Sequence, residues 1–329
     1  MSLPGQALPG AGHADTARPL RLRAERQLGT LAGLLTLCLV LWASTPHFFT
    51  VSNLLNVLEQ TALNAVVAVG MTFVIISGGI DLSVGSVLAF SGIALGRALD
   101  GGLPPPAAIA LALSLGLACG LANGLLVTFG RLPPFIATLG MMSVARGAAL
   151  MMAEGRPISG FAEGFRALAT ERLLMVPAPV VITVMVYAVA GFVLTRTVFG
   201  RATYAIGGNE EAARLSGVPV RFHKTAIYGV AGLMSAAAAV LLTARLNSAQ
   251  PTAGTMYELD AIAATVIGGS SLLGGEGALT GTLVGALIMG VLRNGLNLLN
   301  VSSFVQQLVI GVVIIGAVLI DMALKRRRL

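Results

Sequence analysis

Charge is scarce in this sequence: 11% of its 329 residues are Asp, Glu, Lys or Arg, whereas 56% are hydrophobic. The mean hydropathy is +0.87. A soluble globule with this composition has too few polar side chains to cover its apolar surface. The composition therefore excludes a soluble domain and predicts an all-α polytopic membrane protein.

Cysteine and histidine are also few. Cys38 and Cys119 lie in separate apolar segments, where thiols are usually packing residues, and the three histidines show no ligand spacing. The motifs of nucleotide-binding loops, metalloproteases and serine hydrolases are missing as well. We therefore expect no metal site, no cofactor and no catalytic residue in this chain.

The net charge of +7 does not indicate nucleic-acid binding, because the basic residues gather at both ends and in the centre of the chain. Hydropathy predicts ten membrane spans between these groups. The segment at 260–273 is short for a span, which predicts a broken or re-entrant helix there. The expected spans are 28–43, 54–77, 84–98, 106–129, 135–153, 177–195, 225–244, 260–273, 278–298 and 304–324.

The distribution of Lys and Arg gives the expected orientation. With ten spans, 14 of these residues fall on the side of both termini and five on the other side. Because basic loops stay in the cytoplasm, both termini are expected there. Residues 1–27 are expected to be a disordered tail, 28–324 the transmembrane domain and 325–329 a basic tail. The outside loop 154–176 is expected to carry a short surface helix that meets a partner or caps the protein's own helices.

A polar segment at 198–224 divides the hydrophobic chain into two halves. Within it, Asn209 can cap a helix, Glu210 and Glu211 suit its positive end, and Gly217 can end it. A helix of about two turns is marginal alone, so we expect it to rest on the membrane domain and on a partner protein. A solvated loop is the alternative. The candidate coupling residues are Asn209, Glu210, Glu211, Ala212, Ala213, Arg214, Leu215 and Gly217.

Two glycine-rich segments interrupt the hydrophobic chain. Their sequences are ISGGIDLSVGS and IGGSSLLGGEG. Gly78, Gly79, Leu82 and Gly85 of the first recur 190 positions later in the second. This match predicts an internal repeat. Gly-interrupted helices at equivalent places in two halves are typical of a translocation path, although glycine also serves close helix packing.

Charge at membrane depth is expected at Glu59, Arg146 and Arg293, each near the end of a span where it can reach the interface. No buried chain of acids is evident, which argues against a proton- or sodium-coupled secondary transporter. Amides and hydroxyls in the spans suit a neutral, hydroxyl-rich solute, but such groups also join helices. The candidate path residues are Asn64, Gly78, Gly79, Asp81, Ser83, Asn123, Thr138, Gly268 and Gly269.

Four stretches carry a resemblance to a known family. They are FFTVSNLLNVLEQTALNAVVAVGMTFVIISGGIDLSVGSVLAFSG (48–92), NGLLVTFGRLPPFIATLGMMSVARG (123–147), GRATYAIGGNEEAARLSGVPV (200–220) and AIAATVIGGSSLLGGEGALTGTLVGALIMGVLRNGLNLL (261–299). In these stretches the chain resembles the permease subunits of bacterial ABC importers for ribose and related monosaccharides. That group shares a superfamily with branched-chain amino acid permeases.

The resemblance implies a transport subunit without covalent chemistry, in the lipid bilayer of the bacterial inner membrane. Its implied partners are a second permease subunit, identical or closely related, cytoplasmic ATP-binding subunits and a periplasmic solute-binding protein. The family's coupling segment maps onto 209–217, and its glycine motifs map onto 78–85 and 268–277. The implied substrate is a class, a monosaccharide or polyol. The competing hypotheses are a stand-alone secondary transporter or channel and, more distantly, an intramembrane enzyme.

Overall fold

The computed structural model describes residues 17–173 and 175–326. Over these residues the chain is a bundle of helices with a few very short strands. The helices are α1 (Ala17–Ser44), α2 (Val51–Ile76), α3 (Val84–Asp100), α4 (Pro105–Thr128), α5 (Pro134–Ala153), α6 (Glu163–Thr170), α7 (Ala178–Arg196), α8 (Val198–Gly208), α9 (Glu210–Leu215), α10 (Val220–Leu246), α11 (Tyr257–Ile267), α12 (Leu279–Leu298) and α13 (Ser303–Arg326). The strands are β1 (Ile158–Ser159), β2 (Arg172–Leu173), β3 (Val176–Pro177) and β4 (Ser248–Ala249).

Local sequence signals set where these helices begin and end. The Thr50 side chain accepts a hydrogen bond from the Asn53 N–H and so caps α2. Proline occupies the first turn of α4, α5 and α7, where a missing N–H leaves no hydrogen bond unmade. At the other end, α5 and α10 stop at left-handed residues, Glu154 and Asn247, with φ of 50° and 51°.

Six helices of the described chain are long and apolar enough to cross a membrane: α2, α4, α5, α7, α10 and α12. The all-α polytopic prediction therefore holds at this level. The other expected spans correspond to α3, with 17 residues, α11, with 11 residues, and the apolar parts of α1 and α13. Since a span at normal tilt takes about 20 residues, the count of ten spans stays a prediction.

The loop after α5 carries the expected surface helix as α6. Phe165 is fully buried in a cluster with residues of α3 and α10, and its ring meets that of Phe161 edge to face at 5.7 Å. Beside it, β1 pairs antiparallel with β4, with Ile158 opposite Ala249. The helix α6 therefore caps the protein's own helices, one of the two alternatives expected for this loop.

The centre of the bundle is formed by α2 and α10. Their apolar segments are mostly buried, whereas α4, α5 and α7 leave most of theirs exposed. Around α10 pack α2, α3 and α4, while α11 and α12 pack together against α2. The helix α1 lies on α12, and α13 lies on α11. The apolar outer faces are suited to lipid or to a second membrane protein.

Glycine brings α4 and α10 into close contact. Gly116, Gly120 and Gly124 lie one turn apart on α4, and a Cβ at any of them would overlap the backbone of α10. Small residues at this spacing let membrane helices approach closely. The α10 backbone atoms nearest to these three positions belong to Gly232, Tyr228 and Thr225.

Replacing Gly120 by alanine should lower the thermal stability of the protein. The added methyl would overlap the Tyr228 carbonyl oxygen, and relief requires the two helices to separate. Overpacking of this kind costs about 1–3 kcal/mol. Thermal unfolding of the purified protein in detergent measures the change. Gly191→Ala on α7 is the matched control, because its methyl would meet no described atom within 4 Å. Equal unfolding temperatures for the two variants would contradict the close contact.

The prediction for the N-terminal tail needs correction. Residues 17–27 were expected to be disordered, but they are the first part of α1. Adding turns to an existing helix costs much less than starting one, which explains this extension of the first apolar segment. Residues 1–16 of the expected tail lie outside the described residues. At the other end α13 includes Lys325 and Arg326, and residues 327–329 of the expected basic tail lie outside the described range.

Candidate functional site

The central polar segment contains the short helix that its capping residues predict. The Asn209 side chain accepts a hydrogen bond from the Ala212 N–H at 2.9 Å and caps α9. Glu210 and Glu211 lie in the first turn of this helix, where they suit its dipole. Gly217 follows the helix with φ of 84°, a left-handed conformation that glycine adopts without strain. The prediction of a short helix with signals at both ends is confirmed.

One side of α9 rests on the protein and the other side is open. Ala213 is buried with Ile206 of α8 and Val220 of α10. The Leu215 side chain, at the end of α9, is 75% exposed. The open side of α9 therefore presents Leu215 together with the charged side chains of this helix.

Two ion pairs involve side chains of α9. Lys224 Nζ of α10 lies 2.9 Å from a Glu210 carboxylate oxygen and ties the start of α9 to the bundle. On the exposed side, Arg214 Nε donates to Glu211 at 3.0 Å. This hydrogen bond holds the pKa of the Glu211 carboxyl below its usual range and raises the pKa of Arg214. Both side chains are therefore charged at neutral pH on the open face of α9.

The helix α8, which the sequence reading did not predict, links α9 to the glycine motifs. A Cβ on Gly207 would overlap the Ile76 carbonyl oxygen at the end of α2 and would lie 2.5 Å from the Gly275 nitrogen. The Gly275 N–H itself donates to Ile76 at 2.9 Å. The second glycine motif is thus bonded to the end of α2 where α8 packs on both.

The two predicted glycine motifs meet each other in space. A Cβ on Gly274 would lie 3.0 Å from the Cα of Gly78. Gly78 and Gly269 adopt φ of 79° and 91° where α2 and α11 end, so both need glycine for conformation. Gly268 serves packing, because a Cβ there would overlap the backbone of Gly281 on α12.

Besides Gly78, the break between α2 and α3 collects five of the candidate path residues. Asp81 is buried and accepts from the backbone and the hydroxyl of Ser83, at 2.8 and 2.6 Å. Asn123 of α4 donates to the Ser83 hydroxyl at 2.8 Å. Thr138 of α5 lies against the Ile80 carbonyl at 3.5 Å. The fifth residue is Gly79, where a Cβ would lie 2.5 Å from the Tyr228 hydroxyl oxygen.

Asn64 is separate from this break and lies on a charged pair instead. It donates to the Asp260 carboxylate at 3.3 Å, and Arg293 Nη2 lies 2.6 and 2.8 Å from the same carboxylate. Asp260 is 1% exposed. Arg293 thus pairs with a buried acid, a contact that the sequence did not indicate when it placed this charge near the end of a span. A buried acid at the start of a short apolar segment was the signal that could have indicated this pair.

Arg146, another of the charged residues expected at membrane depth, holds the loop between α10 and α11. Arg146 of α5 donates to the carbonyls of Pro251 and Ala253 at 2.7 and 2.9 Å. Further along this loop, a Cβ on Gly254 would lie 2.5 Å from the Gly85 carbonyl oxygen at the start of α3. The loop thus packs between α5 and α3 before α11 begins.

The candidate residues therefore form separate groups, two of which lie along α2. The coupling residues belong to α9 and its two ends, and Gly268 and Gly269 lie at the end of α11. The break after α2 is surrounded by Gly78, Gly79, Asp81, Ser83, Asn123 and Thr138, and Asn64 lies further along α2 with Asp260 and Arg293. Across the described part of the chain, no group of three or more His, Cys, Asp or Glu is placed to hold a metal ion.

Comparison with known proteins assigns this architecture to a family. Residues 53–318 match the family described as the permease component of branched-chain amino acid transport systems. The chain is 50% identical to the ribose import permease protein RbsC of Bacillus subtilis (strain 168) over 298 residues, which cover 90% of this chain and 92% of the relative. No solved structure matches the chain at a comparable level.

Two further relatives are named for ribose and for L-arabinose. The ribose import permease protein RbsC of Escherichia coli (strain K12) is 49% identical, with 89% of this chain and 92% of the relative covered. The L-arabinose transport system permease protein AraH of the same organism is 38% identical, with 90% of each covered. Both relatives are aligned over almost their whole length. The chain therefore belongs to the family of branched-chain amino acid and ribose-type permeases, and within it to the monosaccharide permeases of ABC transporters.

Proposed function

We propose that this chain is the membrane subunit of an ATP-driven importer and that it carries ribose or another monosaccharide or polyol. The observation that supports this most is the 50% identity to a ribose import permease over 90% of this chain. The chain supplies the path, and ATP hydrolysis takes place in a separate partner. The inner membrane of a bacterium is the compartment that fits such a subunit.

The coupling segment at 198–224 is the part that meets the ATP-binding partner. Its helix α9 is anchored by Ala213 and by the Glu210–Lys224 ion pair, and it displays Leu215 with the Glu211–Arg214 pair on the open side. A partner that binds this face moves α8, and α8 contacts both glycine motifs through Gly207. Motion is thus passed to the end of α2 and to the break before α3.

The path follows α2, past the glycine motifs and the polar groups beside them. The break after α2 supplies Asp81, Ser83, Asn123 and Thr138, and the middle of α2 supplies Asn64. Polar backbone and side chains are tolerated at membrane depth where they line such a path. A single chain leaves broad apolar faces on its outer helices. These faces are covered by lipid and by a second permease subunit, while a periplasmic binding protein delivers the sugar from outside.

Both termini and α9 should lie in the cytoplasm, with ten passages through the bilayer between the termini. Reporter fusions at Gly160, before α6, and at Gly208, before α9, measure this orientation. We expect a periplasmic signal at Gly160 and a cytoplasmic signal at Gly208, because basic residues concentrate around α9. Signals from the same side at both positions would show that the number of spans between them is not odd.

The function is tested with the complete complex in liposomes. The permease is reconstituted with its ATP-binding subunit and a binding protein loaded with ribose, arabinose or allose. We expect accumulation of at least one monosaccharide that requires both ATP and the binding protein. Uptake without ATP would favour a stand-alone transporter or channel. Accumulation of a branched-chain amino acid would instead assign the protein to the amino acid permeases of its family.

A further inference from the structure

Halfway along α2, two side chains face the charged pair of α11 and α12. Thr61 lies one turn before Asn64 on α2, and its hydroxyl touches the position where a Cβ on Gly290 of α12 would be. Arg293 follows Gly290 by one turn on the same face of α12. Asn64 is about 20 Å from either end of α2 at the usual rise per residue. These side chains therefore meet at the middle of the bundle.

Several polar atoms of this group have no hydrogen-bond partner within the described chain. They are the Thr61 hydroxyl, the Asn64 carbonyl oxygen and Arg293 Nε, and all three atoms are buried. Thr61 as a residue is 3% exposed. Unpaired buried polar atoms are rare, and each one lowers stability unless a ligand or water satisfies it. Asn64 and Arg293 both contact the Asp260 carboxylate, and Thr61 packs on Gly290 one turn before Arg293, so the three atoms belong to one neighbourhood.

A neighbouring amide pair shows that unpaired atoms are not general to this region. Asn53 of α2 and Asn294 of α12 exchange two hydrogen bonds, of 3.0 and 2.8 Å, and both side chains are buried. The same two helices thus satisfy one pair fully and leave Thr61 and Asn64 incomplete. Packing of α2 on α12 alone does not account for the difference.

The group is also open on one side. The Arg293 side chain is 33% exposed, although its helix is one of the six candidate spans. A guanidinium at this depth is costly against lipid, so this side faces water, solute or another protein chain.

We propose that Thr61, Asn64 and Arg293 form a hydrogen-bonding site for a polyhydroxyl solute at the middle of the permease, with Asp260 as the residue that positions Arg293. The hydroxyl of Thr61 and the amide of Asn64 accept from solute hydroxyls, and Arg293 Nε donates to a solute oxygen. The site rests on the proposed function and gives the path a chemical preference for hydroxyl-bearing solutes. Gly290 lets α12 approach Thr61 closely, because a Cβ there would overlap the Thr61 hydroxyl.

Cysteine accessibility tests this site in the reconstituted complex. Cys38 and Cys119, the two cysteines of the sequence, are first replaced by alanine. Thr61→Cys is then treated with 2-aminoethyl methanethiosulfonate during ATP-driven turnover, with and without ribose on the binding protein. Thr72→Cys is the matched control, because Thr72 is buried on the same helix and its hydroxyl is already paired with Ala68 and Thr282. Asn64→Cys serves as a second reporter if the first variant does not assemble.

We expect the thiol at position 61 to react, ribose to slow this reaction at least threefold, and the thiol at position 72 to stay unreactive. Thr61→Val should lower ribose uptake about two- to tenfold, as the loss of one hydrogen bond implies, while ATP hydrolysis stimulated by the loaded binding protein is kept. A thiol at 61 that never reacts, or reacts equally with and without ribose, overturns the site. Failure of the proposed function is separate, because the unaltered complex would then import no monosaccharide at all.

Discussion

Replacing Gly207 by alanine should cut sugar uptake by roughly five- to 150-fold while the protein still reaches the membrane. The new methyl falls on the hydrogen bond between the Gly275 N–H and the Ile76 carbonyl, which joins the second glycine motif to α2. Both atoms belong to the backbone, so no side-chain rotation relieves the overlap. Overpacking against backbone costs about 1–3 kcal/mol, which corresponds to this range.

Gly208→Ala is the matched control for this variant. Gly208 is the next residue of α8, and a methyl there meets no described atom within 4 Å. Both positions lie in the last turn of α8, so the two substitutions should change helix propensity by similar amounts, below the roughly 1 kcal/mol of a helix interior. Uptake of the loaded sugar and stimulated ATP hydrolysis are measured for both variants in liposomes. If Gly207→Ala imports sugar as fast as Gly208→Ala, α8 does not transmit motion to the glycine motifs.

Much of this architecture follows from local sequence signals. The start and end of α9 were predicted because Asn209 and Gly217 act on their immediate neighbours. The prolines that open α4, α5 and α7 give helix starts close to the expected ones for the same reason. The short length of α11 agrees with the broken helix expected there. Capping and proline effects depend on a few adjacent residues, which the sequence displays directly.

Contacts between residues that are far apart in the sequence were harder to predict. Asp260 and Arg293 lie on different helices, and the sequence alone treats each as a separate charge near the end of a span. Their pairing depends on how α11 and α12 pack, which no local pattern specifies. The helix α8 was not predicted within the polar segment, and Gly207 allows it to pack closely on α2. The expected disordered tail was read from composition, and its part from residue 17 onward is helical.

The candidate path shows the same limit. Asp81, Ser83, Asn123 and Thr138 were selected as separate polar residues, and the fold brings them to one break. Thr61 is one of many hydroxyls in the spans, and its missing partner is visible only in three dimensions. Residue type therefore predicts which side chains are candidates for the path, and packing decides which of them lie together.

Replacing Ala213 by proline should abolish sugar uptake. The Ala213 N–H donates to the Asn209 carbonyl at 3.0 Å in α9. Proline removes this donor, and its ring collides with the preceding turn, at a cost of about 3 kcal/mol in a helix interior. A helix of six residues has little intrinsic stability to set against this. Burial of Ala213 against Ile206 and Val220 is lost with it, so α9 should unfold while the apolar helices still insert.

Measuring stimulated ATP hydrolysis in this variant distinguishes a coupling helix from a solvated loop. The complex is reconstituted with and without loaded binding protein, and the ATP-binding subunit is recovered by pull-down through the permease. Ala213→Ser is the control, because it keeps the backbone N–H and nearly the same volume. We expect the serine variant to bind the ATP-binding subunit and respond to the loaded binding protein, and the proline variant to lose both properties. A proline variant that keeps both would mean that the exposed Leu215 and the Glu211–Arg214 pair belong to a solvated segment and that coupling runs through another surface.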